Sequence, residues 1–453
     1  MSGETRMVEE AARVLERLEE AGYSAFFVGG FVRDRVGGRE IHDIDLASSA
    51  LPEQALALFP GALPTGLKHG TITVRQGGFS FELTTFRKES EYEDYRRPSG
   101  VEFVSAVEED LRRRDFTINA MAMNRHGELF DPFDGAGDLR RGVLRAVGEP
   151  DLRFREDALR MMRCVRFAAN YSLRIEEETW LALLANARLL RHIAMERVRS
   201  ELARIVEGPH PEDGLRLLAD SRLLRHTKER LDAPLADWTA NDLPEPLRRI
   251  GRIGADTRWT ALALALRLTP QETERLWRVL TFPVKEGKQV AAVVAVDAYL
   301  QRELAAAQEA AAGSDGAGRA GRPTDLAGEE ACAFKRAVLL FGAEAAEEWL
   351  ELAAYWTADG LRLWASSALS AVEAQLIRDG ARLLREMPVK RVDELAVGGE
   401  ELLAALNRPS GPWLGRLMRQ LTEEAACGRL PNDRASLLAR AAEWRIQDEP
   451  AES

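Results

Sequence analysis

One stretch, residues 26–50 (FFVGGFVRDRVGGREIHDIDLASSA), constrains the fold of this chain more than any other. It opens with an apolar strand, which must end at a glycine pair. A short helix carrying Arg33 follows, and then a second strand that carries Asp43 and Asp45. Because strand side chains alternate between faces, both aspartates point the same way while their apolar neighbours enter the core. The stretch therefore predicts a strand, a glycine turn, a short helix and a strand bearing two carboxylates.

Two carboxylates on one rigid face repel each other. A divalent cation with oxygen ligands, such as Mg²⁺, normally offsets that cost. The glycine pair lets backbone N–H groups approach an anion, and Arg33 can add a charged donor. Metal and phosphate would then meet at one sheet edge, which is the arrangement that nucleotidyl transfer requires.

Composition bounds the remaining possibilities. A length of 453 residues suggests about three domains. The most apolar run, near residues 290–296, is far shorter than the roughly 18 residues that a membrane span needs. The N-terminus has no apolar signal region, and three scattered cysteines without a CxxC pair fit a reducing compartment. We therefore expect a cytoplasmic protein without membrane contact.

Since no histidine follows His226, the C-terminal half cannot be a His/Asp metal phosphohydrolase.

The net charge of −11 argues at first against a nucleic-acid partner. The charges are segregated, however, because many arginines fall in one central stretch. They are Arg112, Arg113, Arg114, Arg140, Arg141, Arg145, Arg153, Arg155, Arg160, Arg163 and Arg166. A basic groove on an acidic protein therefore remains open.

Residues 8–21 predict an amphipathic helix, 52–59 a short helix, and 70–74 with 79–86 a hairpin. Glu82 lies on the second hairpin strand among residues that should be buried. It is either an edge-strand glutamate or a third carboxylate of the metal site, and spacing alone favours neither.

The charged segment 87–100 predicts a mobile loop, because it has little to bury. A strand at 101–104 follows, and then Arg114 and Asp115 precede a helix-like stretch at 116–123. Arg114 has two interpretations: a salt bridge at a helix start, or a donor to the sugar or phosphate of a nucleotide.

A second constellation lies in residues 144–171, where a long helix is expected to begin near Arg155. Asp157 and Arg160 are three residues apart and would be neighbours on its surface. They form either an ordinary ion pair or a protein template for a base. Arginine donors match the acceptors of cytosine or adenine, and a carboxylate accepts from the exocyclic amine of either base. Guanine and uracil present the opposite pattern.

From about residue 175 the chain predicts helices throughout. The Ala/Gly-rich segment 305–328 indicates a flexible linker.

Four motifs together resemble the class II tRNA nucleotidyltransferase and poly(A) polymerase family, most closely bacterial CCA-adding enzymes. They are GGFVRD with DIDLASSA, RRRDFTINAMA, LRAVGEPDLRF and EDALRMMRCVRF. The resemblance implies an α+β fold: a polymerase-beta-like head with a mixed five-stranded sheet, followed by an all-α neck, body and tail. The implied boundaries are 1–142 for the head, 143–205 for the neck, 206–330 for the body and 331–453 for the tail.

The resemblance also implies roles for individual residues. Gly30 and Arg33 would contact the nucleotide phosphates, Asp43 and Asp45 would hold Mg²⁺, Glu82 would be the third active-site carboxylate, Arg114 would contact the nucleotide, Asp157 and Arg160 would read the base, and Arg163 and Arg166 would complete the nucleotide site.

The implied reaction is untemplated addition of CCA to tRNA from CTP and ATP, with the tail against the tRNA elbow and the acceptor arm at the head. The sequence leaves open an enzyme that adds only CC or only A, a poly(A) polymerase, and a catalytically silent tRNA-binding module. It also leaves a homodimer open. A poly(A) polymerase usually has a basic C-terminal extension, whereas this chain ends in the acidic run WRIQDEPAES.

Overall fold

The computed structural model describes residues 3–89, 92–93, 97–98, 101–239, 241, 243–313, 328–358 and 371–448. The chain divides into two compact units, Met1–Leu243 and Pro244–Ser453. Within the described ranges, no helix is both long and apolar enough to cross a membrane. The domain boundaries expected at residues 142, 205 and 330 stay predictions.

The strands lie in the first unit. They are β1 (Ala25–Val28), β2 (Asp45–Ser48), β3 (Leu63–Gly66), β4 (Thr71–Gln76), β5 (Phe79–Thr85), β6 (Arg87–Glu89), β7 (Tyr92–Glu93), β8 (Arg97–Pro98), β9 (Val101–Phe103), β10 (Ala122–Met123), β11 (Leu129–Phe130), β12 (Val143–Leu144) and β13 (Arg174–Ile175). Seven of them form one sheet in the order β11-β10-β1-β2-β5-β4-β3. The β2–β5 pair is parallel, while β1–β2 and β4–β5 are antiparallel.

The mixed sheet confirms the predicted α+β class, with seven described strands where five were expected. The edge strands β3 and β11 are short and largely exposed. Such strands carry too little apolar alternation to be recognised from sequence.

The helices of the first unit are α1 (Gly3–Glu20), α2 (Gly30–Val36), α3 (Pro52–Leu58), α4 (Val107–Arg112), α5 (Gly135–Arg141), α6 (Pro150–Glu156), α7 (Leu159–Asn170), α8 (Glu177–Asn186), α9 (Met195–Val206) and α10 (Pro211–Ser221). Those of the second unit are α11 (Arg258–Ala265), α12 (Pro270–Val279), α13 (Val284–Gly313), α14 (Gly328–Phe341), α15 (Ala343–Ala358), α16 (Ala371–Glu386), α17 (Gly399–Leu406), α18 (Pro412–Ala426) and α19 (Arg434–Asp448).

The sheet is held by a core that α1 completes. Leu15 and Leu18 of α1 are fully buried in one cluster with Leu46 of β2, Ile72 of β4 and Phe81 of β5. Their alternation along the strands and their helical spacing along α1 are the patterns that predict these elements. The predicted hairpin at 70–86 and the helices at 8–21 and 52–59 are thus confirmed.

Three local predictions are wrong. The stretch 116–123 is a short 3₁₀ turn, Thr117–Asn119, followed by β10, and nearly all of its side chains are buried. Periodicity cannot distinguish helix from strand when every face is buried. The helix expected from Arg155 is instead two helices, α6 and α7, interrupted at Asp157, whose backbone is extended.

The third correction concerns segment 305–328. Helix α13 continues to Gly313, consistent with the high helix propensity of alanine, and residues 314–327 lie outside the described residues. The predicted loop 87–100 contains the short strands β6, β7 and β8, and its other residues also lie outside the described ranges.

The second unit buries a carboxyl group in its helical core. Asp297 of α13 accepts hydrogen bonds from Trp349 Nε1 at 2.8 Å and Gln301 Nε2 at 2.7 Å. Burial raises its pKa to about 8, against the opposing effect of these two hydrogen bonds, and Glu373 adds to the rise. The folded state therefore binds a proton that the unfolded chain releases near its ordinary pKa of 3.8.

Stability of the second unit should consequently fall as pH rises towards 8. Each pH unit between the two pKa values costs about 1.4 kcal/mol of unfolding free energy. Asp297→Asn cannot ionise, so between about pH 6 and about pH 8 it should lose roughly 2–3 kcal/mol less than the wild type. Urea unfolding at both pH values measures this difference. Equal losses in both proteins would contradict a protonated Asp297.

Candidate active site

The turn between β1 and α2 lies against several of the predicted site residues. Gly29 has φ 67° and ψ −129°, a conformation that other residues rarely adopt. A Cβ atom at Gly29 would lie 3.1 Å from Arg114 Nη1 and 3.5 Å from Asp45 Oδ2. A Cβ at Gly30 would lie 3.6 Å from Arg33 Nη2. The glycine pair thus leaves room for a guanidinium and a carboxylate close to the backbone.

Parallel pairing of β2 with β5 brings two of the predicted carboxylates together. Asp45 is the first residue of β2 and lies opposite Glu82 of β5 in the register. Both residues are exposed, whereas Ile44 and Leu46 are buried. Asp43 is exposed as well and lies just before β2 rather than within it. The predicted alternation is confirmed for Ile44, Asp45 and Leu46, whereas the prediction that the strand also carries Asp43 is wrong. Glu82 shares the sheet position of Asp45.

The electrostatic environment of Asp45 favours a cation. Although the residue is exposed, the surrounding protein partly desolvates its carboxylate, and this is the main cause of its raised pKa. Glu82 and Asp43 raise the pKa further, while Arg114 and Arg33 oppose the rise. Carboxylate oxygens are ligands that Mg²⁺ prefers, and a nearby divalent cation would relieve the repulsion. In the part of the chain that the structure describes, no three His, Cys, Asp or Glu side chains converge to hold one metal ion. Carboxylate oxygens such as those of Asp43 and Asp45 fit Mg²⁺, which commonly takes its other ligands from phosphate or water.

Arg33 is buried and held on several sides. Its Nε and Nη2 donate to the carboxylate of Asp34, and its Nη1 donates to Asn119 Oδ1 at 2.7 Å. The guanidinium carbon also lies 4.3 Å from the ring centre of Tyr171, at the end of α7. These contacts fix both the plane and the direction of the guanidinium.

Arg114 lies between the glycine turn and α4. Its Nη2 pairs with Asp110 Oδ2 at 3.2 Å, and its Nη1 donates to the carbonyl oxygen of Asn119 at 3.4 Å. Its Nε atom is buried and has no hydrogen-bond partner. Burial alone would raise the pKa of Asp110, but Arg113 and Arg114 outweigh it and hold the pKa below its usual range. Arg114 is therefore held by the Asp110 carboxylate on one side, and its Nε–H remains a donor without a partner among the described residues.

The structure corrects the pairing expected for Asp157 and Arg160. They do not share a helix surface, because Asp157 lies between α6 and α7. Asp157 Oδ1 accepts from the Leu159 backbone N–H at 3.0 Å, and its Oδ2 pairs with Arg197 of α9 at 2.8 Å. Arg160 instead pairs with Glu156 at 2.8 Å and donates to the Arg113 carbonyl oxygen at 2.9 Å.

Arg163 and Arg166 follow along α7, and each pairs with a buried carboxylate. Arg163 Nη2 lies 2.6 Å from Asp115 Oδ2, and Arg166 Nε lies 2.6 Å from Glu201 Oε2 on α9. Burial alone would raise the pKa of Asp115, but Arg163, the hydrogen bond from Asn119, and Arg160 together lower it. Asp115 thus remains ionised and ties α7 to the segment that carries Arg114.

Sequence reasoning missed Asn119 and Glu201, and both carry a recognisable pattern. Asn119 is a buried polar residue within an apolar run, and Glu201 occupies a core-facing position of α9 beside Val198 and Leu202. Buried polar side chains are almost always hydrogen-bonded, so such positions indicate partners elsewhere in the chain. Each has a distant partner that no local pattern predicts: Arg33 lies 86 residues from Asn119, and Arg166 lies 35 residues from Glu201.

Known protein families match three parts of the chain. The poly(A) polymerase head domain matches residues 25–145, which include the glycine turn, the three carboxylates and Arg114. The RNA- and SrmB-binding site of polymerase A matches 172–233, and a tRNA nucleotidyltransferase domain 2 matches 334–441. Fold and site thus define a nucleotidyltransferase with a poly(A) polymerase head.

Full-length comparisons narrow this class. A CCA-adding enzyme of Lactobacillus delbrueckii subsp. bulgaricus is 36% identical over 439 residues, which cover 96% of this chain and 97% of the relative. One from Levilactobacillus brevis is 36% identical over 95% of this chain and 96% of the relative. The crystal structure of the Bacillus stearothermophilus CCA-adding enzyme in complex with CTP superposes with a TM-score of 0.72 at 31% identity, covering 99% of both chains. The chain therefore belongs to the CCA-adding enzyme family.

Alanine at the glycine turn should test whether the turn needs space as well as conformation. In Gly29→Ala the new Cβ would press on Arg114 and Asp45, so nucleotide incorporation should fall by at least about tenfold. Gly38→Ala is the matched control, because Gly38 has φ +65° and no atom within 4 Å of its Cβ position.

Both variants should lose about 1–2 kcal/mol of stability from the positive φ alone. Thermal unfolding and incorporation rates, measured side by side, separate strain from site geometry. Equal activity in the two variants would show that the contacts at Gly29 do not matter.

Proposed function

We propose that this chain builds the 3′-terminal CCA of tRNA from CTP and ATP, without a nucleic-acid template and with release of pyrophosphate. Membership of the CCA-adding enzyme family supports the reaction. The observation that supports the site is the meeting of the glycine turn, Asp45, Glu82 and Arg114 at one end of the sheet. In each step the tRNA 3′-hydroxyl oxygen would attack the α-phosphorus, and the bond to the β-phosphate oxygen would break.

The carboxylates form the metal-binding part of this proposal. Asp43 and Asp45 would hold Mg²⁺, with Glu82 as a third carboxylate at the same sheet position. When bound, the cation would lower the pKa of the attacking hydroxyl and stabilise the charge that develops on the phosphate. The raised pKa of Asp45 supports this assignment, because desolvation first and then the carboxylates of Glu82 and Asp43 disfavour its charge, and a cation would relieve both effects.

The cationic side chains form the nucleotide-binding part. Gly30 and Arg33 would contact the phosphates, and Arg114 would contact the nucleotide through donors such as its unused Nε. Asp157 and Arg160 would read the base edge, with Arg163 and Arg166 completing the site. Since CTP and ATP share the triphosphate, one set of phosphate contacts can serve both substrates.

Partners and location complete the proposal. CCA-adding enzyme structures with CTP and with ATP are similar in fold to this chain, as is one of Thermotoga maritima complexed with tRNA_CCA at 20% identity and a TM-score of 0.58. We propose that this chain takes the tRNA acceptor arm at the head and the elbow at the tail, and that it acts in the cytoplasm.

Removal of either metal-binding aspartate should abolish turnover. Purified protein with Mg²⁺ is given three tRNA transcripts that end before CCA, after the first C and after CC, each with CTP, ATP or both. The wild type should extend all three to one CCA end. Asp43→Ala and Asp45→Ala should lower the rate by about a thousandfold or more. Asp220→Ala removes an exposed carboxylate of α10 and should leave the rate unchanged.

The extension products, separated on a gel, also distinguish the alternative enzymes from a CCA-adding enzyme. A long A ladder would indicate a poly(A) polymerase, a stop after CC a CC-adding enzyme, and addition of A to the CC-ended transcript alone an A-adding enzyme. Extension at near wild-type rate by either aspartate variant would contradict the metal assignment.

Base choice should depend on Arg160. Arg160→Ala removes a donor to the cytosine and adenine acceptors, so the preference for C and A over G and U should fall by about tenfold or more. Arg155→Ala is the control, since Arg155 is an exposed arginine of the neighbouring α6 that pairs with Asp151. Single-turnover incorporation of each of the four nucleotides gives the ratio. An unchanged ratio in Arg160→Ala would exclude a role in base reading.

A further inference from the structure

Asn119 connects the proposed phosphate-binding arginine to a buried carboxylate. It is the last residue of the 3₁₀ turn Thr117–Asn119 and is 6% exposed. Its Oδ1 accepts from Arg33 Nη1 at 2.7 Å, and its Nδ2 donates to Asp115 Oδ1 at 3.0 Å. A guanidinium can only donate and a carboxylate only accept, so the chemistry of the two partners fixes the orientation of this amide.

The connection continues into helix α7. Asp115 Oδ2 accepts from Arg163 Nε at 2.7 Å. The backbone carbonyl of Asn119 also accepts from Arg114 Nη1 at 3.4 Å. One residue thus contacts two of the proposed nucleotide-binding arginines and reaches a third through a single carboxylate.

The other hydrogen bonds of Arg33 engage the Nε and Nη2 side of its guanidinium, and Asn119 binds the Nη1 side. Asp34 takes the Nε and Nη2 edge of the guanidinium, and the ring of Tyr171 covers one face. Asn119 takes Nη1, and so links the guanidinium to the segment that carries Arg114. The charged groups around this amide are Arg33 and Asp34 from α2, Arg114 and Asp115 from the preceding segment, and Arg160 and Arg163 from α7.

We propose that Asn119 is a positioning residue, which fixes the Arg33 guanidinium and ties it through Asp115 to Arg163 of α7. Arg33, at the proposed phosphate end of the nucleotide site, and Arg163, near its proposed base end, thereby keep a fixed position relative to each other. This inference rests on the proposed function only in assigning Arg33 and Arg163 to nucleotide binding.

Asn119→Leu keeps the side-chain volume and removes both hydrogen bonds. CTP and ATP should each bind about tenfold more weakly, and by equal factors, because the two nucleotides share the triphosphate. Isothermal titration calorimetry of the full-length protein with CTP or ATP measures this without turnover. In an Arg33→Ala background the same substitution should add less than about twofold, because the group that it positions is gone.

Asn119→Asp gives a readout that a purely structural role would not move. A protonated aspartic acid copies the amide: its carbonyl oxygen accepts from Arg33, and its hydroxyl donates to Asp115. The ionised form still accepts from Arg33 but cannot donate, and it faces the Asp115 carboxylate, which raises the pKa of the new acid while the Arg33 guanidinium lowers it. The protonated form keeps both links, so nucleotide affinity relative to the wild type should fall by about tenfold as the pH rises through the pKa of the new acid, in a titration from about pH 4.5 to about pH 8.5.

One further variant sharpens the test. Asn186 is a matched control: it is also 6% exposed and donates its Nδ2 to a carboxylate, Asp151 Oδ1, at 2.8 Å. Asn186→Asp creates a similar carboxylate pair away from Arg33, so its nucleotide affinity should stay close to that of the wild type at every pH.

The inference is overturned if Asn119→Leu binds both nucleotides within about twofold of the wild type, or if Asn119→Asp binds them as tightly as the wild type at every pH. A loss of affinity in Asn119→Asp no larger than that in Asn186→Asp would overturn it as well. Because the measurement is nucleotide binding, a wild type that binds CTP but fails the tRNA extension assay would refute the proposed function and leave this test intact.

Discussion

The ion pair between the buried Asp115 and the half-buried Arg163 joins the segment after α4 to helix α7. Burying a carboxylate is costly unless its hydrogen-bonding positions are filled. Here they are filled, because Asp115 also accepts from the backbone N–H of Phe116 and from the amide of Asn119. The surrounding packing is apolar, with Phe116 and Phe167 in an edge-to-face contact. One network thus fixes the parts of the first unit that carry Arg33, Arg114 and Arg163.

The same principle governs the arginine-rich central stretch. On a protein with a net charge of −11, a run of arginines suggests a basic groove. In the structure, each of the cations nearest the site faces a carboxylate, and Asp110, Glu156 and Glu201 each pair with a further arginine as well. The pairs are Arg114 with Asp110, Arg160 with Glu156, Arg163 with Asp115 and Arg166 with Glu201. Each carboxylate reduces the long-range field of the arginines that it contacts and holds their donors at fixed positions.

Sequence predicted the carboxylate edge well because strand alternation is strictly local. Once β2 and β5 are recognised, the faces of Asp45 and Glu82 follow from a period of two. Prediction from sequence failed where the structure depends on contacts between residues far apart in the chain. Asp157 interrupts a helical pattern because its carboxylate accepts from the Leu159 N–H and from Arg197, and the second contact spans 40 residues. The partner of Arg33 likewise depends on a chain segment 86 residues away. Local spacing identifies candidate residues, whereas tertiary packing decides which of them meet.

Asp157 and Arg160 are separate side chains rather than the expected ion pair, so a base-reading role would require each to act from its own position. Neither spends its acceptor or donors on the other, although both are engaged by other groups. Asp157 pairs with Arg197, and Arg160 pairs with Glu156. Arg160 also donates a hydrogen bond to the carbonyl oxygen of Arg113, in the segment before Asp115. An acceptor and a donor fixed by different neighbours keep their relative position whether or not a base is present. That is the preorganisation that selection of C and A over G and U would require.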